Sequence, residues 1–189
     1  MAYHHGNLRA ELLARAEEVV ASQGADALSL RSLARDLGVS HAAPSRHFAD
    51  RPALLDALAT DGFGRLGTEL EAAICGGGAF EDRLNRTAQA YVGFATQHPA
   101  LLELMYARKH RDPTTDLRAA SDACAQTLLT LLADGDAAID APERFGVILL
   151  ACLQGIAALA ASDSLPPAHH PDELVADAVQ RLLRGSRAS

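Results

Sequence analysis

The most informative residues for chemistry lie in the stretch 29–48, whose spacing fits two short helices joined by a tight turn. Apolar residues recur at helical intervals through the first helix, and Gly38 then supplies the backbone freedom that a tight turn needs. On the second helix, the outward positions carry small side chains or hydrogen-bond donors, among them His41, Arg46 and His47. Donors of this kind suit phosphate oxygens and the acceptor-rich edges of nucleic-acid bases.

Other helices must hold these two in place, because helices this short are not stable alone. Apolar spacing predicts a first helix at about 7–23, and a fourth that begins after Asp50 and stops at the triple glycine 76–78. Prolines and a turn at 134–136 separate the remaining helical patterns. These patterns lie at about 80–97, 99–110, 114–133, 142–162 and 171–184. The sequence therefore predicts an all-α fold of about nine helices.

The composition favours the same fold class. Aromatic residues make up only 4% of the chain and tryptophan is absent, whereas strands prefer aromatic and β-branched side chains. The charge is uneven, because the six arginines and six acidic residues of 1–52 cancel, so the formal net charge of −7 arises entirely after them. Four of the eight histidines also lie in this neutral segment. An anionic partner is thus permitted at the N-terminal end despite the acidic total.

Several function classes lack their usual signatures. The three cysteines, Cys75, Cys124 and Cys152, do not have the spacing of a disulfide framework or a zinc site, which fits a reducing cytoplasm and predicts no cofactor or metal. No Ser/His/Asp order, HExxH motif or glycine-rich phosphate loop indicates an enzyme. The apolar run 147–161 is shorter than the roughly 20 residues that span a bilayer, so no membrane partner is expected.

The stretch 29–48 resembles the DNA-binding domain of the TetR family of transcriptional regulators. The resemblance rests on the core Ser-Leu-Arg-x-Leu-Ala-x-x-Leu-Gly-Val-Ser, on the Arg-His-Phe that ends at Phe48, and on the paired leucines 54 and 55 of the next helix. The opening Tyr-His-His-Gly-Asn-Leu-Arg at 3–9 is also similar to the start of many members. The resemblance implies a helix-turn-helix DNA-binding domain at 1–52 and an effector-binding and dimerisation domain at 53–189.

By this resemblance, nine residues are expected to contact the operator. They are Ser29, Arg31, Ser40, His41, Ala43, Ser45, Arg46, His47 and Arg51. Two of them depart from the residue usual in the family. Ser45 replaces a tyrosine, so its contact with the DNA backbone is smaller or bridged by water. Arg51 replaces a lysine that lies beside a phosphate, and either cation can serve there.

The C-terminal half resembles the family in layout, with a long helix that ends at His98 before a proline. Five residues are expected to line an effector cavity, although core packing is the simpler alternative for four of them, and Gln154 could instead bond across a subunit interface. They are Tyr91, Phe94, Met105, Tyr106 and Gln154. The last two helices carry more apolar surface than one subunit needs, which predicts a homodimer joined by a four-helix bundle. Its expected contacts are Leu149, Leu153, Ile156, Leu174, Ala178 and Leu182.

Together these features predict a cytoplasmic TetR-type repressor that a small-molecule effector releases from double-stranded operator DNA. Two other readings stay open at this point, a constitutive DNA-organising protein without an effector and a helical adaptor without a DNA role. A defined cavity beneath the fourth helix counts against the first. Failure to bind the DNA upstream of its own gene favours the second.

Overall fold

The fold is described from a computed structural model, which covers residues 8–133, 139 and 141–187. Within those ranges the chain forms eight α-helices, two short 3-10 helices and no strand, which confirms the predicted all-α fold. The α-helices are α1 (Leu8–Gln23), α2 (Leu30–Asp36), α3 (Arg51–Cys75), α4 (Phe80–Gln97), α5 (Pro99–Lys109), α6 (Thr115–Ala133), α7 (Pro142–Ala161) and α8 (Pro171–Arg187). The 3-10 helices are Ala25–Ala27 and Pro44–Arg46.

The chain divides into two compact units, and each is built from two separate stretches of sequence. The first unit comprises Met1–Phe63 and Ala100–Ala120, and the second comprises Gly64–Pro99 and Ser121–Ser189. Helices α3, α5 and α6 therefore contribute residues to both units. The predicted boundary at residue 52 separates a DNA-binding domain from an effector-binding and dimerisation domain. It stays a prediction.

Helices α1 and α2 contact each other through apolar residues that recur at helical intervals. Leu12 and Ala16 of α1 are completely buried, and so are Leu33 and Ala34 of α2. The alanines are small enough for the two helices to approach closely. Gly38, with a φ of 65°, takes the left-handed conformation that lets the chain turn just after α2.

The second of the two helices predicted for the stretch 29–48 is not an α-helix, so this prediction is wrong. The segment after Ser40 instead forms turns and the 3-10 helix Pro44–Arg46. An α-helix capped at Ser40 would make its first backbone hydrogen bond from the N–H of residue 44, and proline has no N–H. The N–H of Ala43 donates to the Ser40 carbonyl instead, at 2.9 Å, and the N–H of Arg46 donates to the Ala43 carbonyl at 3.2 Å. Both bonds span three residues, which is the 3-10 pattern. We call residues 40–47 the recognition turn.

In the first unit, the beginning of α3 packs closely against α5. Gly62 is so near Met105 that a Cβ at this glycine would stand 2.6 Å from the methionine Sδ. Arg108 Nε donates a hydrogen bond to Asp56 Oδ1 at 2.6 Å, and the two side chains are only 19% and 8% exposed. A charged pair this deeply buried couples the two helices, because neither group can lose its partner cheaply.

The second unit contains α4, α7 and α8, which pack on one another. Their buried side chains recur at helical intervals. On α4 and α7 they include Leu84, Ala88, Tyr91, Ala95, Phe145, Leu149, Leu153 and Ala157, and on α8 they are Val175, Val179 and Leu183. The predicted turn at 134–136 lies outside the described residues.

Helix α3 ends immediately before the triple glycine, as the sequence predicts. Gly77 and Gly78 have φ angles of 70° and 94°, in the left-handed region that favours glycine. Arg86 of α4 donates to the carbonyl oxygens of Ala73, at 3.2 Å, and Gly77, at 2.5 Å. Its guanidinium thereby satisfies the Ala73 carbonyl, one of those that the end of a helix leaves without an intrahelical donor.

We expect Arg108→Met to lower the free energy of unfolding by about 3 kcal/mol, because it leaves the Asp56 carboxylate buried without a cation. Urea denaturation followed by circular dichroism measures the change. Arg181→Met is the control, since Arg181 pairs with Asp177 at 2.7 Å on the exposed side of α8, and losing that pair should matter far less. A loss at Arg108 no larger than at Arg181 would contradict the prediction.

Candidate nucleic-acid interface

The recognition turn exposes its hydrogen-bond donors, and buried residues anchor it at Pro44 and just after its end. Pro44 and Phe48 are buried, and Ala43 is half-buried. The other predicted DNA contacts of the turn are all exposed, namely Ser40, His41, Ser45, Arg46 and His47. The structure thus brings five of the nine predicted contacts together on one short exposed segment.

The two predicted DNA contacts at the start of α2 are Arg31 and Ser29, and Ser29 is already hydrogen-bonded within the protein. Arg31 is exposed. The Ser29 Oγ accepts a hydrogen bond from the Ser32 N–H at 3.1 Å and donates one to the Ser32 Oγ at 2.9 Å. Any DNA contact made by Ser29 must therefore share a hydroxyl that already caps the helix.

A groove of about 770 Å³ lies beside the recognition turn. Its lining includes Leu8, at the start of α1, and Ser40, Arg46 and His47 from the turn. The polar residues supply hydrogen-bond donors, and Arg46 adds a permanent positive charge. Such a groove can hold an extended strand that is rich in acceptors and negatively charged, which describes a sugar-phosphate backbone.

Arg15 fixes α1 to α2 through directional hydrogen bonds. Its Nε and one terminal nitrogen donate to Asp36 Oδ2 at 3.1 and 3.0 Å, and the other terminal nitrogen donates to Glu18 at 2.6 Å. The hydrogen bonds to Glu18 and Asp36 raise the pKa of Arg15 above its ordinary value. The clamp therefore stays charged at physiological pH and holds α2 in one orientation.

Arg51, which the resemblance places beside a phosphate, is already hydrogen-bonded within the protein. Its Nε donates to the Leu28 carbonyl at 3.1 Å, and one terminal nitrogen donates to the Ala25 carbonyl at 2.7 Å and to Asp26 Oδ1 at 3.2 Å. Three acceptors thus already occupy the guanidinium. Arg51 ties the start of α3 to the segment before α2, so it positions the helix-turn-helix.

Most of the residues expected to line an effector cavity belong to the hydrophobic core. Tyr91, Phe94 and Met105 are buried, and Tyr106 and Gln154 are half-buried. The second unit contains a cavity of about 450 Å³ among α3, α4 and α6, a volume typical of small-molecule sites. None of the five predicted residues lines it. Its lining includes Glu71, Ile74, Cys75, Arg83, Thr127 and Leu131.

Helix α7 turns one apolar face inward and a second one to solvent. Leu149 and Leu153, both expected at a dimer interface, are 1% and 4% exposed and belong to the chain's own core. Val147 and Leu159, by contrast, are 68% and 47% exposed. Periodicity cannot separate the two faces, because a helix that is apolar all round has no polar side to orient it. The other expected interface residues, Ile156, Leu174, Ala178 and Leu182, are half-buried.

Helix α7 is also, among the described residues, the one helix whose length and composition would allow it to cross a membrane. Its 20 residues exceed the apolar run counted from the sequence. A single helix of this kind is weak evidence for a membrane span, because core helices of globular proteins meet the same criteria.

The described part of the chain holds no group of three His, Cys, Asp or Glu side chains that could bind a metal ion. The three cysteines are all free thiols. Cys75 is exposed, Cys124 is buried and Cys152 is half-buried.

One residue beside the recognition turn, Arg9, is missing from the predicted set of DNA contacts. It is exposed, and its guanidinium carbon lies 5.6 Å from the centroid of the Phe48 ring. The sequence contained one signal for it. Arg9 is a cation in the first turn of a helix, where the helix dipole disfavours positive charge.

Two family models match most of the chain between them. Residues 12–58 match the model described as bacterial regulatory proteins, tetR family. Residues 84–182 match the model described as tetracyclin repressor-like, C-terminal domain. Among curated protein sequences, none matches this chain.

Several solved structures are similar along nearly the full length. A protein of unknown function from Rhodococcus sp. RHA1 is 42% identical, with 99% of each chain covered and a TM-score of 0.89. The TetR family transcriptional regulator PfmR from Thermus thermophilus is 20% identical, with 92% of this chain and 97% of that chain covered and a TM-score of 0.70. The fatty acid degradation regulator FadR from Bacillus halodurans is 17% identical, with 98% and 99% covered and a TM-score of 0.72. At such low identity, the last two show a shared fold alone.

We expect Arg51→Met to lower the free energy of unfolding by about 1–2 kcal/mol, because the carbonyls of Ala25 and Leu28 lose a charged donor. Arg51→Lys should recover only part of this loss, since an ammonium lacks the fork that reaches both carbonyls. Urea denaturation measures stability, and the salt dependence of DNA binding is measured alongside it. Arg35→Met is the control, because the Arg35 side chain is 76% exposed. Unchanged stability in Arg51→Met with a weaker salt dependence would instead support the direct phosphate contact.

Proposed function

Because this chain belongs to the TetR family of DNA-binding transcriptional regulators, we propose that it is a cytoplasmic, homodimeric repressor that a small-molecule effector releases from its operator. The observation that carries the proposal is the recognition turn. This turn exposes the side chains of His41, Arg46 and His47, on a helix-turn-helix held by the internal hydrogen bonds of Arg15 and Arg51.

Within the recognition turn, Arg46 is the side chain best suited to read a base. Its planar fork can donate two hydrogen bonds to O6 and N7 of a guanine in the major groove. It is exposed, and within the described part of the chain no carboxylate pairs with it. Ser40, Ser45 and Arg31 are proposed to bind phosphates, which positions the protein on the duplex without reading its sequence.

The solvent-facing side of α7 supports the proposed homodimer. Val147 and Leu159, with Ile148 at 41%, form an exposed apolar face opposite the buried one. Gly155 lies on this face, and a Cβ placed there would meet nothing within 4 Å. The chain's own packing therefore does not require glycine at 155, whereas a helix of a second copy could approach closely at that point.

The proposed dimer pairs this face of α7, together with the half-buried residues of α8, with the same surface of a second copy. A symmetric pair of this kind hides apolar surface that a monomer leaves in water. It also provides two recognition turns for one operator. On B-DNA they must reach half-sites about 34–36 Å apart, one helical turn along the same side of the duplex.

We propose the cavity of about 450 Å³ as the effector site. Glu71, Ile74 and Cys75 in its lining lie on α3, the helix whose first half belongs to the helix-turn-helix unit. An effector that binds better to a displaced α3 shifts the population toward dimers whose recognition turns no longer match the half-sites. The buried pair of Asp56 and Arg108 joins α3 to α5, so we expect these two helices to move together.

The proposed function predicts salt-dependent binding of the wild-type protein to DNA that flanks its own gene. Arg46→Ala should reduce the preference for operator over unrelated DNA by about 5- to 150-fold for each half-site, because each protomer loses one bidentate base contact. Fluorescence anisotropy with labelled duplexes measures both affinities. Arg118→Ala, which removes an exposed arginine on α6 of the same unit, should leave the preference unchanged.

Two results would refute parts of this proposal. If the wild-type protein binds none of the DNA that flanks its own gene, even at low salt, the proposed operator binding is refuted. A small molecule that raises the melting temperature while operator affinity stays constant would argue against effector release.

We expect Val147→Glu to convert the dimer into a monomer, because two copies would bury unpaired carboxylates in the apolar face of α7. Sedimentation velocity at micromolar concentration reports the mass of the particle. The matched control is Ala125→Glu, which places the same charge at an exposed position on α6. A wild-type protein that sediments as a monomer, or a Val147→Glu protein that remains dimeric, would show that this face is not the interface.

A further inference from the structure

The start of α1 and the end of the recognition turn meet around the ring of Phe48. The Arg9 guanidinium carbon lies 5.6 Å from the centroid of the Phe48 ring, and the His47 ring centroid is 6.4 Å from the same ring. Phe48 is only 3% exposed, whereas Arg9 and His47 are exposed. A buried ring thus holds an exposed arginine beside one of the proposed DNA contacts.

We propose that Arg9, beside the groove lined by Leu8, Ser40, Arg46 and His47, binds a backbone phosphate of the DNA, while Arg46 reads a base. This site lies outside the contacts implied by the family resemblance. The proposal rests on the proposed function, since it assumes that the recognition turn approaches a duplex. It adds a phosphate contact made by α1, a helix that carries none of the nine predicted contacts.

The charge of Arg9 is poorly compensated within the protein. Arg9 occupies the first turn of α1, where the helix dipole is positive and disfavours a cation. Within the described residues no carboxylate pairs with its guanidinium. An anion at this place gains from the guanidinium and from the helix terminus together. Charge complementarity therefore favours a phosphate over a neutral or cationic partner.

The Phe48 ring explains how a long, exposed side chain can bind with little ordering cost. A guanidinium over an aromatic face is attracted by the ring electrons and samples fewer rotamers. Fewer rotamers in the free protein mean that less conformational entropy is lost when a phosphate binds. Because Phe48 also anchors the recognition turn, the same ring sets the position of Arg9 relative to Arg46 and His47.

The two arginines should have separable effects on DNA binding. A phosphate contact carries no sequence information, so Arg9 contributes equally to specific and unrelated DNA. Arg46 is proposed to read a base, so its loss reduces the preference for the operator. This difference allows the two roles to be measured independently.

The test compares Arg9→Gln with the wild type on operator and unrelated duplexes, between about 50 and 200 mM KCl. The expected result is a plot of log affinity against log salt that is less steep by about 0.9 for each protomer. Affinity for both duplexes should fall by the same factor, which leaves the operator preference unchanged. Arg9→Lys retains the charge and should keep the wild-type slope.

Arg118→Gln is the matched control, because it removes the same charge from the first unit at a residue that does not line the groove. It should leave the slope at the wild-type value. If Arg9→Gln keeps the wild-type slope while the wild type binds DNA, or if it changes operator preference, the inference is overturned and the proposed function stands. If the wild type binds neither duplex, the proposed function itself is overturned.

Discussion

The helix-turn-helix depends on tertiary packing, because its donor-bearing elements are too short to be stable alone. Helix α2 has seven residues and the 3-10 helix of the recognition turn has three. Isolated helices of this length are marginal in water. Leu33 and Ala34 are completely buried and Phe48 nearly so, and this burial holds both elements against their neighbours. The side chains left outside the packing are the ones available to DNA.

Packing alone does not set orientation, and the N-terminal arginines supply it. Within the first unit, Arg15 donates hydrogen bonds to Asp36, and Arg51 donates to backbone carbonyls. Charged, directional hydrogen bonds of this kind restrict rotation in a way that apolar contact does not. The four other arginines of this segment, Arg9, Arg31, Arg35 and Arg46, are exposed. The N-terminal arginines thus have two roles. Some hold the helices in place, and others are available on the surface to bind an anion.

The positions of most helices could be predicted because prolines and glycines mark their ends, as the triple glycine does for α3. Pro44 shows where local reasoning fails. Proline is tolerated in the first turn of a helix, but here it occupies the position whose N–H would make the first helical hydrogen bond. Helix α7 is a second case in which local spacing is not enough. Leu149 and Val147 are both apolar residues of an apolar helix, and only burial separates the core residue from the exposed one.

By itself, the sequence determined the all-α class, the helix-turn-helix and the family, because these follow from the local spacing of apolar, capping and turn residues. Only the tertiary structure decided which arginines are free, which face of α7 is exposed and where a cavity lies. These properties depend on atoms far apart along the chain. Arg51, for example, bonds to backbone carbonyls 23 and 26 residues before it. Every residue carries a backbone carbonyl, so the residue types could not reveal which ones Arg51 would meet.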